Sequence, residues 1–329
     1  MHAVFVDLRS PKEFNEDHLP NAVNIPLLND EERHLVGTVY KKDGSTVAKE
    51  IGLELVAPKL PLIVKKIKQL DNQNPVVIYC WRGGLRSRSL TQVLNLMGVS
   101  TYRLTGGYKA FRKHVYDFFQ EKLPYKLVVL HGLTGTGKTD IILELQKLGK
   151  PAIDLEGLAN NRGSVFGSVG LGPQYSQKKF ETRLFQVCKS IQKGSFVVVE
   201  GESKRLGRNF IPDSFFEAMN NGINVLVHDN LERRITRIVD EYKEDSQENT
   251  DAILHSISCL KKRLGKKVIS NLSEMLLAGN VHSVVEYLLI NYYDPLYNYP
   301  KQFEDECSIS LSGTDPQASA RTLVKYLNR

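Results

Sequence analysis

Cys80 closes the apolar run Val76-Val77-Ile78-Tyr79 and is followed by Trp81, Arg82, Gly83, Gly84, Leu85 and Arg86. A helix pattern begins near Leu85, so the cysteine stands in a glycine- and arginine-bearing loop between a buried strand and a helix. A helix N-terminus and nearby arginines favour thiolate over thiol. Successive backbone N–H groups in such a loop form a concave cup for an anion carried on the sulfur. The residues from Trp81 to Arg86 thus predict an anionic nucleophile whose anionic adduct is sheltered. A cysteine at a strand end can instead be a packing residue, and Cys188, Cys259 and Cys307 are read as core or surface residues without chemistry.

Some fifty residues on, Gly132-Leu-Thr-Gly135-Thr136-Gly137-Lys138-Thr139 satisfies the phosphate-loop pattern G-x-x-x-x-G-K-S/T. An apolar strand leads in and an amphipathic helix leads out, the context this motif requires. Glycines let backbone amides curl around phosphate oxygens, and the helix N-terminus adds partial positive charge. Lys138 neutralises terminal phosphate oxygens, and Thr139 is placed to reach a Mg2+ ion. The motif predicts a polyphosphate site without naming the polyphosphate. An acid is expected at the end of a neighbouring strand, and "FVVVEGES" offers Glu200, with Glu202 two residues on. Glu200 is read as a metal ligand, a general base or a helix cap. Arg162, Gly163 and Ser164 form a second glycine-serine loop, read either as closing over the bound ligand or as plain surface.

Strand and helix patterns alternate around both loops. "AVFVDL", "NAVNIP", "PVVIYC" and "STYRL" read as strands in the first part, with Ser10 and Pro11 opening a helix. Residues 47 to 70 are one long amphipathic stretch. Gly52 interrupts it, where glycine costs about 1 kcal/mol relative to alanine, so close packing or ligand approach is expected there, and Gly52 joins the candidate second-site residues. Pro124 marks a boundary, giving domains 1–123 and 124–329. The second part continues with strands "KLVVLHG", "PAIDLEG", "SFVVVEG", "NVLVHD" and "CSISLSG", and residues 250 to 300 read as helical. Such alternation predicts parallel α/β layers.

The composition is globular, with 41% hydrophobic and 25% charged residues. Four cysteines without paired or metal-type spacing fit a reducing compartment. With no secretory pattern at the start and no apolar run long enough to span a membrane, a cytoplasmic protein is expected. The formal net charge is +7, and no acidic residue lies between Asp71 and Asp117. That span holds Arg82, Arg86, Arg88, Arg103, Lys109, Arg112 and Lys113, a positive field around Cys80 suited to a polyanion. Arg233, Arg234 and Arg237 follow a strand and are read as a lid over the phosphate loop. Tyr287, Tyr292, Tyr293, Tyr297 and Tyr299 are read as core or as a surface for stacking a nucleic-acid base.

The C-x5-R spacing resembles thiol-dependent phosphatases, although Tyr79 stands where those enzymes carry histidine. A fuller resemblance covers the whole chain. "VDLRSPKEFNEDHLPNAVNIP", "YCWRGGLRS" and "LTGGYKAFR" are similar to the hallmarks of a rhodanese domain. Joined to "GLTGTGKT", "DLEGLANNRGSVFG", "VEGESKRLG" and "YYDPLYNY", they resemble the tRNA 2-selenouridine synthase family. Asn161 stands where that pattern has histidine, and Gly201 where it has aspartate. The resemblance implies a rhodanese-like parallel-sheet domain followed by a P-loop α/β domain with a helical C-terminal part. It also implies conversion of wobble 2-thiouridine, in the anticodon stem-loop of certain tRNAs, to 2-selenouridine. The sulfur would be alkylated by geranyl diphosphate, then replaced by selenium from selenophosphate through a selenosulfide on Cys80. The alternative is a sulfurtransferase whose P-loop domain uses ATP.

Overall fold

Two parallel sheets carry the two loops in a computed structural model that describes residues 3–70, 74–167, 169–241, 247–297 and 307–328. The chain divides into two units, Met1–Phe118 with Glu181–Gln186, and Phe119–Phe180 with Val187–Arg329.

In the first unit the strands are β1 (Val4–Asp7), β2 (Val23–Asn24), β3 (Val76–Tyr79) and β4 (Thr101–Arg103), ordered β2-β1-β3-β4. All three pairings are parallel, with Val6 opposite Val23 and Ile78, and Ile78 opposite Arg103. Val6, Leu8, Ile78, Leu90 and Leu94 are buried in one cluster that includes Cys80. Ser10 caps the helix Pro11–Glu16 in a reciprocal capping box with Glu13, as its sequence predicts. The expected long stretch at 47–70 is broken. A helix Ser45–Val56 passes through a 3-10 turn at Ala57–Lys59 into a helix Leu60–Leu70, because Pro58 and Pro61 cannot both sit inside one regular helix.

The packing expected at Gly52 is absent. Among the described residues, no atom beyond its chain neighbours and its own helix backbone lies within 4 Å of where its Cβ would be, and it belongs to a helix of the first unit, not to the lining of the phosphate-loop cavity. Its flexibility is therefore a cost without a structural return. Gly52→Ala is expected to stabilise the fold by about 1 kcal/mol, read as a higher thermal midpoint. A lower midpoint would mean that this side of the helix is covered in solution.

The second unit contains β5 (Lys126–His131), β6 (Ala152–Ile153), β7 (Phe196–Glu200), a hairpin of β8 (Arg205–Leu206) and β9 (Asn209–Phe210), then β10 (Ile223–His228) and β11 (Ile309–Ser312). Its main sheet runs β11-β10-β5-β7-β6, parallel throughout. The chain passes from β5 to the edge strand β6, returns to β7 beside β5, then crosses to β10 and β11 on the other side. The strand order thus reverses at β5, and ligands of open parallel sheets bind at the carboxyl end of such a switch point. The helical tail is observed as expected up to residue 297, from Gln247–Cys259 through Lys266–Leu277, Val281–Leu288 and a π-helical turn at Leu289–Tyr293. Residues 298–300 lie outside the described residues.

Candidate functional site

The first loop is built by close backbone contact. Gly83 has φ +64° and a Cβ there would lie 2.7 Å from the Leu104 carbonyl oxygen. Gly107 has φ +58° and a Cβ would lie 2.2 Å from the Cys80 carbonyl oxygen. Only glycine fits both positions, which is why "RGG" and "TGG" occur together. The Tyr108 N–H donates to the Cys80 carbonyl and the Lys109 N–H to that of Trp81. Beneath them, buried Arg9 is paired with Asp7 at 2.6 Å and lies 3.7 Å from the centre of the Tyr108 ring. The hallmark segments therefore fold around one desolvated ion pair, whose partners cannot be separated cheaply.

Cys80 sits at the base of this loop. It is 3% exposed, and its sulfur lies 3.3 Å from the Ser87 hydroxyl. The helix Leu85–Leu96 begins directly above, with Gly84 at its N-cap and no side-chain cap. Its first amides are therefore available to an anion. Arg86 pairs with Glu13 at 3.4 Å, and Arg103 donates to the Gly83 carbonyl, while Arg82 and Arg88 are exposed. The predicted arginines thus divide into three that tie down their surroundings, Arg112 through Glu181 and Thr182, and two that face solvent.

The second loop runs from β5 into the helix Lys138–Lys147, again with an uncapped glycine, Gly137, at the N-cap. Gly132, Gly135 and Gly137 all have positive φ, and a Cβ at Gly132 would strike the Val227 carbonyl oxygen at 2.3 Å. Thr136 donates to the Leu133 carbonyl, and the Lys138 ammonium donates to those of Gly132 and Leu133 at 2.8 and 3.2 Å. Of the arginines expected as a lid, Arg234 and Arg237 brace the loop, and Arg237 also lines the cavity. Arg234 donates to the Thr134 carbonyl and to Asp294 at 3.0 Å. Arg237 donates to the carbonyls of Gly135 and Gly313 and pairs with Asp140 and Asp229. Arg233 faces solvent. The aspartate of "YYDP" therefore holds the phosphate loop through Arg234.

Thr136, Gly137, Lys138, Thr139, Arg162, Gly163, Ser164, Glu200 and Glu202 line one cavity of about 580 Å3. Arg162 donates to the Val169 carbonyl and lies 3.9 Å from Glu241, and the Ser164 hydroxyl accepts the Phe166 N–H. Their loop is an ordered wall whose polar groups are largely committed to each other. Glu200 ends β7 and is buried. One carboxylate oxygen accepts the Leu155 N–H at 3.0 Å, and the other, Oε1, has no partner among the described residues. At Gly201, where the family pattern leads one to expect aspartate, a Cβ would lie 2.7 Å from His131 Nδ1. At the other departure, buried Asn161 accepts the Gly163 N–H.

Sequence reasoning missed Glu156. A Cβ on Gly163 would lie 2.8 Å from both a Glu156 and a Glu202 oxygen, so the two carboxyls converge. Burial first, then Glu202, pushes Glu156 up to about 8, and burial also raises Glu200 and Glu202. Burial lowers Lys138, opposed by these same carboxylates. Glu156 titrates near 4.5 when unfolded, so its contribution to stability is fully present below that pH and is lost as pH rises through about 8. Glu156→Gln is expected to flatten the decline in thermal midpoint between about pH 5 and 8. An unchanged pH profile would show that this carboxyl is hydrated.

Tyr292 and Tyr293 pack edge to face, 4.9 Å between centroids, within a buried cluster that Tyr287 adjoins. Tyr287 packs against this cluster and Tyr292 and Tyr293 also line the cavity, so the three do not form an exposed stacking surface. The side chain of Tyr297 and residue Tyr299 lie outside the described residues.

A family model described as a rhodanese-like domain matches residues 1–114, and one described as the tRNA 2-selenouridine synthase AAA domain matches 125–323. A tRNA 2-selenouridine synthase of Psychromonas ingrahamii is 34% identical, over 89% of this chain and 87% of its own. The chain belongs to the tRNA 2-selenouridine synthase family. Synthases of that name from Shewanella sp. (strain ANA-3) and Hydrogenovibrio crunogenus are each 35% identical, covering 90% and 94% of this chain and 88% and 91% of theirs. Membership makes the first sheet a rhodanese-like domain and the second a P-loop domain with a helical C-terminal part, the fold class expected from the sequence. Among the described residues no helix is long and apolar enough to cross a membrane, and no three histidine, cysteine or acidic side chains are grouped to hold a metal ion.

Proposed function

We propose that this chain converts wobble 2-thiouridine of tRNA to 2-selenouridine in two steps. In the first, the 2-sulfur attacks C1 of geranyl diphosphate. The C1–O bond breaks, diphosphate leaves with the bonding pair, and the base loses its N3 proton. Alkylation turns a poor leaving group into a thioether-like one. In the second, the phosphoryl group of selenophosphate passes to water and its selenium is taken onto Cys80 as a selenosulfide, a small disulfide accepting the two electrons. The outer selenium attacks C2, and geranylthiolate leaves with the bonding pair. Two thiols then cleave the Se–S bond, giving 2-selenouridine and the Cys80 thiol and re-forming the disulfide. Holding that selenium against the base converts a bimolecular encounter into an oriented one.

The observation that carries this reading is the pair of uncapped helix N-termini, each at the carboxyl end of a parallel strand, in a chain of this family. One has a thiol at its base and suits selenophosphate and its adduct. The other has Lys138 and Thr139 and suits a departing diphosphate, whose charge the amides and ammonium stabilise. A Mg2+ ion fits the oxygen donors beside it. Mg2+ is held by one or two carboxylates together with substrate phosphates, and the partnerless Glu200 Oε1 and the Thr139 hydroxyl line the same cavity. There it would neutralise phosphate charge. The exposed arginines Arg82 and Arg88 suit the backbone of the anticodon stem-loop.

The test uses purified protein and thiolated tRNA. Geranyl diphosphate alone should yield S-geranylated nucleoside, and added selenophosphate should convert it to selenouridine, both read by nucleoside mass analysis. Turnover that required ATP and produced only sulfur transfer would support the sulfurtransferase alternative.

A further inference from the structure

The cavity beginning at the phosphate loop extends well beyond it. Its polar part is formed by Thr134–Asp140, Glu156 and Glu200–Ser203. Ile238 lines it next to Gly135, with its Cδ1 2.9 Å from where a Gly135 Cβ would be. The helix bearing Ile238, Leu231–Glu241, packs against Val281–Leu288. From there the lining is contributed by the C-terminal helices. Every described lining residue between 249 and 296 is isoleucine, leucine, valine or tyrosine, and none of these is charged. Leu276, Val284, Leu288 and Leu289 among them are less than 9% exposed.

Protein cores are close-packed, and their voids rarely exceed a water molecule. A space of about 580 Å3 is instead of ligand size. Part of its wall is the π-helical turn Leu289–Tyr293, an irregularity that recurs where a helix is shaped around a site. The two parts of the cavity differ sharply in chemistry. One offers amides and an ammonium, the other offers hydrocarbon. A nucleotide would place a base and ribose, with their several donors and acceptors, against aliphatic walls, leaving polar groups unpaired. An anionic headgroup joined to a branched hydrocarbon meets both parts.

We propose that the C-terminal helices form an isoprenoid chamber. The diphosphate of the prenyl donor lies on Gly135–Thr139, its tail enters the helical part of the cavity, and side chains of the Val281–Leu288 helix limit the tail length accepted. This rests on the donor reading above and adds the place and the specificity of the tail. The helical tail of the chain thus acts as a ruler, and the Asp294–Arg234 pair fixes that ruler to the phosphate loop.

Two substitutions test it in the full-length protein with thiolated tRNA. Val285 lines the cavity and is half-buried, so Val285→Phe fills space with little disturbance elsewhere. It should raise KM for geranyl diphosphate at least about tenfold, since each excluded methylene forfeits a several-fold gain in binding. Inhibition by inorganic pyrophosphate should stay within about twofold, and use of the five-carbon dimethylallyl diphosphate relative to geranyl diphosphate should rise. Val284→Ala enlarges the chamber and should raise the farnesyl-to-geranyl ratio. Unchanged chain-length preference in both variants overturns the chamber. If Val285→Phe also lost pyrophosphate inhibition, the whole site would be damaged and Val284→Ala alone would decide, a raised ratio supporting the chamber and an unchanged one overturning it. A wild-type protein that neither transfers a prenyl group nor binds pyrophosphate would overturn the donor reading itself.

Discussion

Cys80→Ser should abolish selenium incorporation while leaving alkylation of thiouridine in place, so that S-geranylated tRNA accumulates. The expected loss is at least about a thousandfold, the scale on which removing a covalent nucleophile is felt. A hydroxyl has no accessible anion at neutral pH and forms no stable bond to selenium. The structure also argues that the change is local. Cys80 lies among close backbone contacts and beside the buried Ser87 hydroxyl, where serine is smaller and can keep that hydrogen bond. The carbonyl at position 80 still accepts from Tyr108. Folding, checked by circular dichroism, should therefore survive. The low exposure of Cys80 bears on mechanism too. A thiol at the base of a loop is screened from bulk oxidants and meets only what the loop admits, and Gly83 and Gly84 leave the mouth without side chains. Selenouridine formed at wild-type levels by the serine variant would remove Cys80 from the reaction.

Both loops are legible in the sequence because backbone geometry, not side-chain contact, dictates them. Glycine is required at Gly83, Gly107, Gly132 and Gly135 by positive φ and by carbonyls or side chains lying where a Cβ would go, so the motif is a direct record of the fold. Strands buried on both faces, such as β5, also announce themselves as unbroken apolar runs. Other features were hidden for identifiable reasons. The helix Asp30–Lys42 buries no residue, so it has no apolar period to read. Only its Asn29–Glu32 capping box marks it. The β8–β9 hairpin has two residues per strand, too few for alternation to show. Gly52 misled because its cost in a helix was visible and its open surroundings were not. The arginines of Leu231–Glu241 read as a basic cluster, but their aspartate and carbonyl partners come from residues as far away in sequence as Gly135 on one side and Gly313 on the other. The chamber was the least legible. Its lining residues repeat at helical spacing like any packed face, and only the assembled helices reveal that space remains between them.

Lys138→Ala should stop alkylation while sparing the exchange step. Removing one donor aimed at developing negative charge costs about 10²- to 10³-fold in rate, and here the donor is also a full positive charge on the phosphate loop itself. Without ligand, Lys138 is held by the carbonyls of Gly132 and Leu133 and faces the carboxyls of Glu156, Glu200 and Glu202. Its removal leaves those three acids lining the cavity with less opposing charge, so diphosphate binding should weaken as well as its departure. Lys138→Arg keeps charge but not the compact ammonium, and the fork geometry of guanidinium should restore binding better than rate. The decisive measurement supplies S-geranylated tRNA prepared separately. If the phosphate loop serves only the prenyl donor, the alanine variant converts this tRNA to selenouridine at close to the wild-type rate, because Cys80 and its loop belong to a different sheet. Equal loss of both half-reactions would mean that the phosphate loop also supports the selenium step, and the division of labour between the two loops would have to be abandoned.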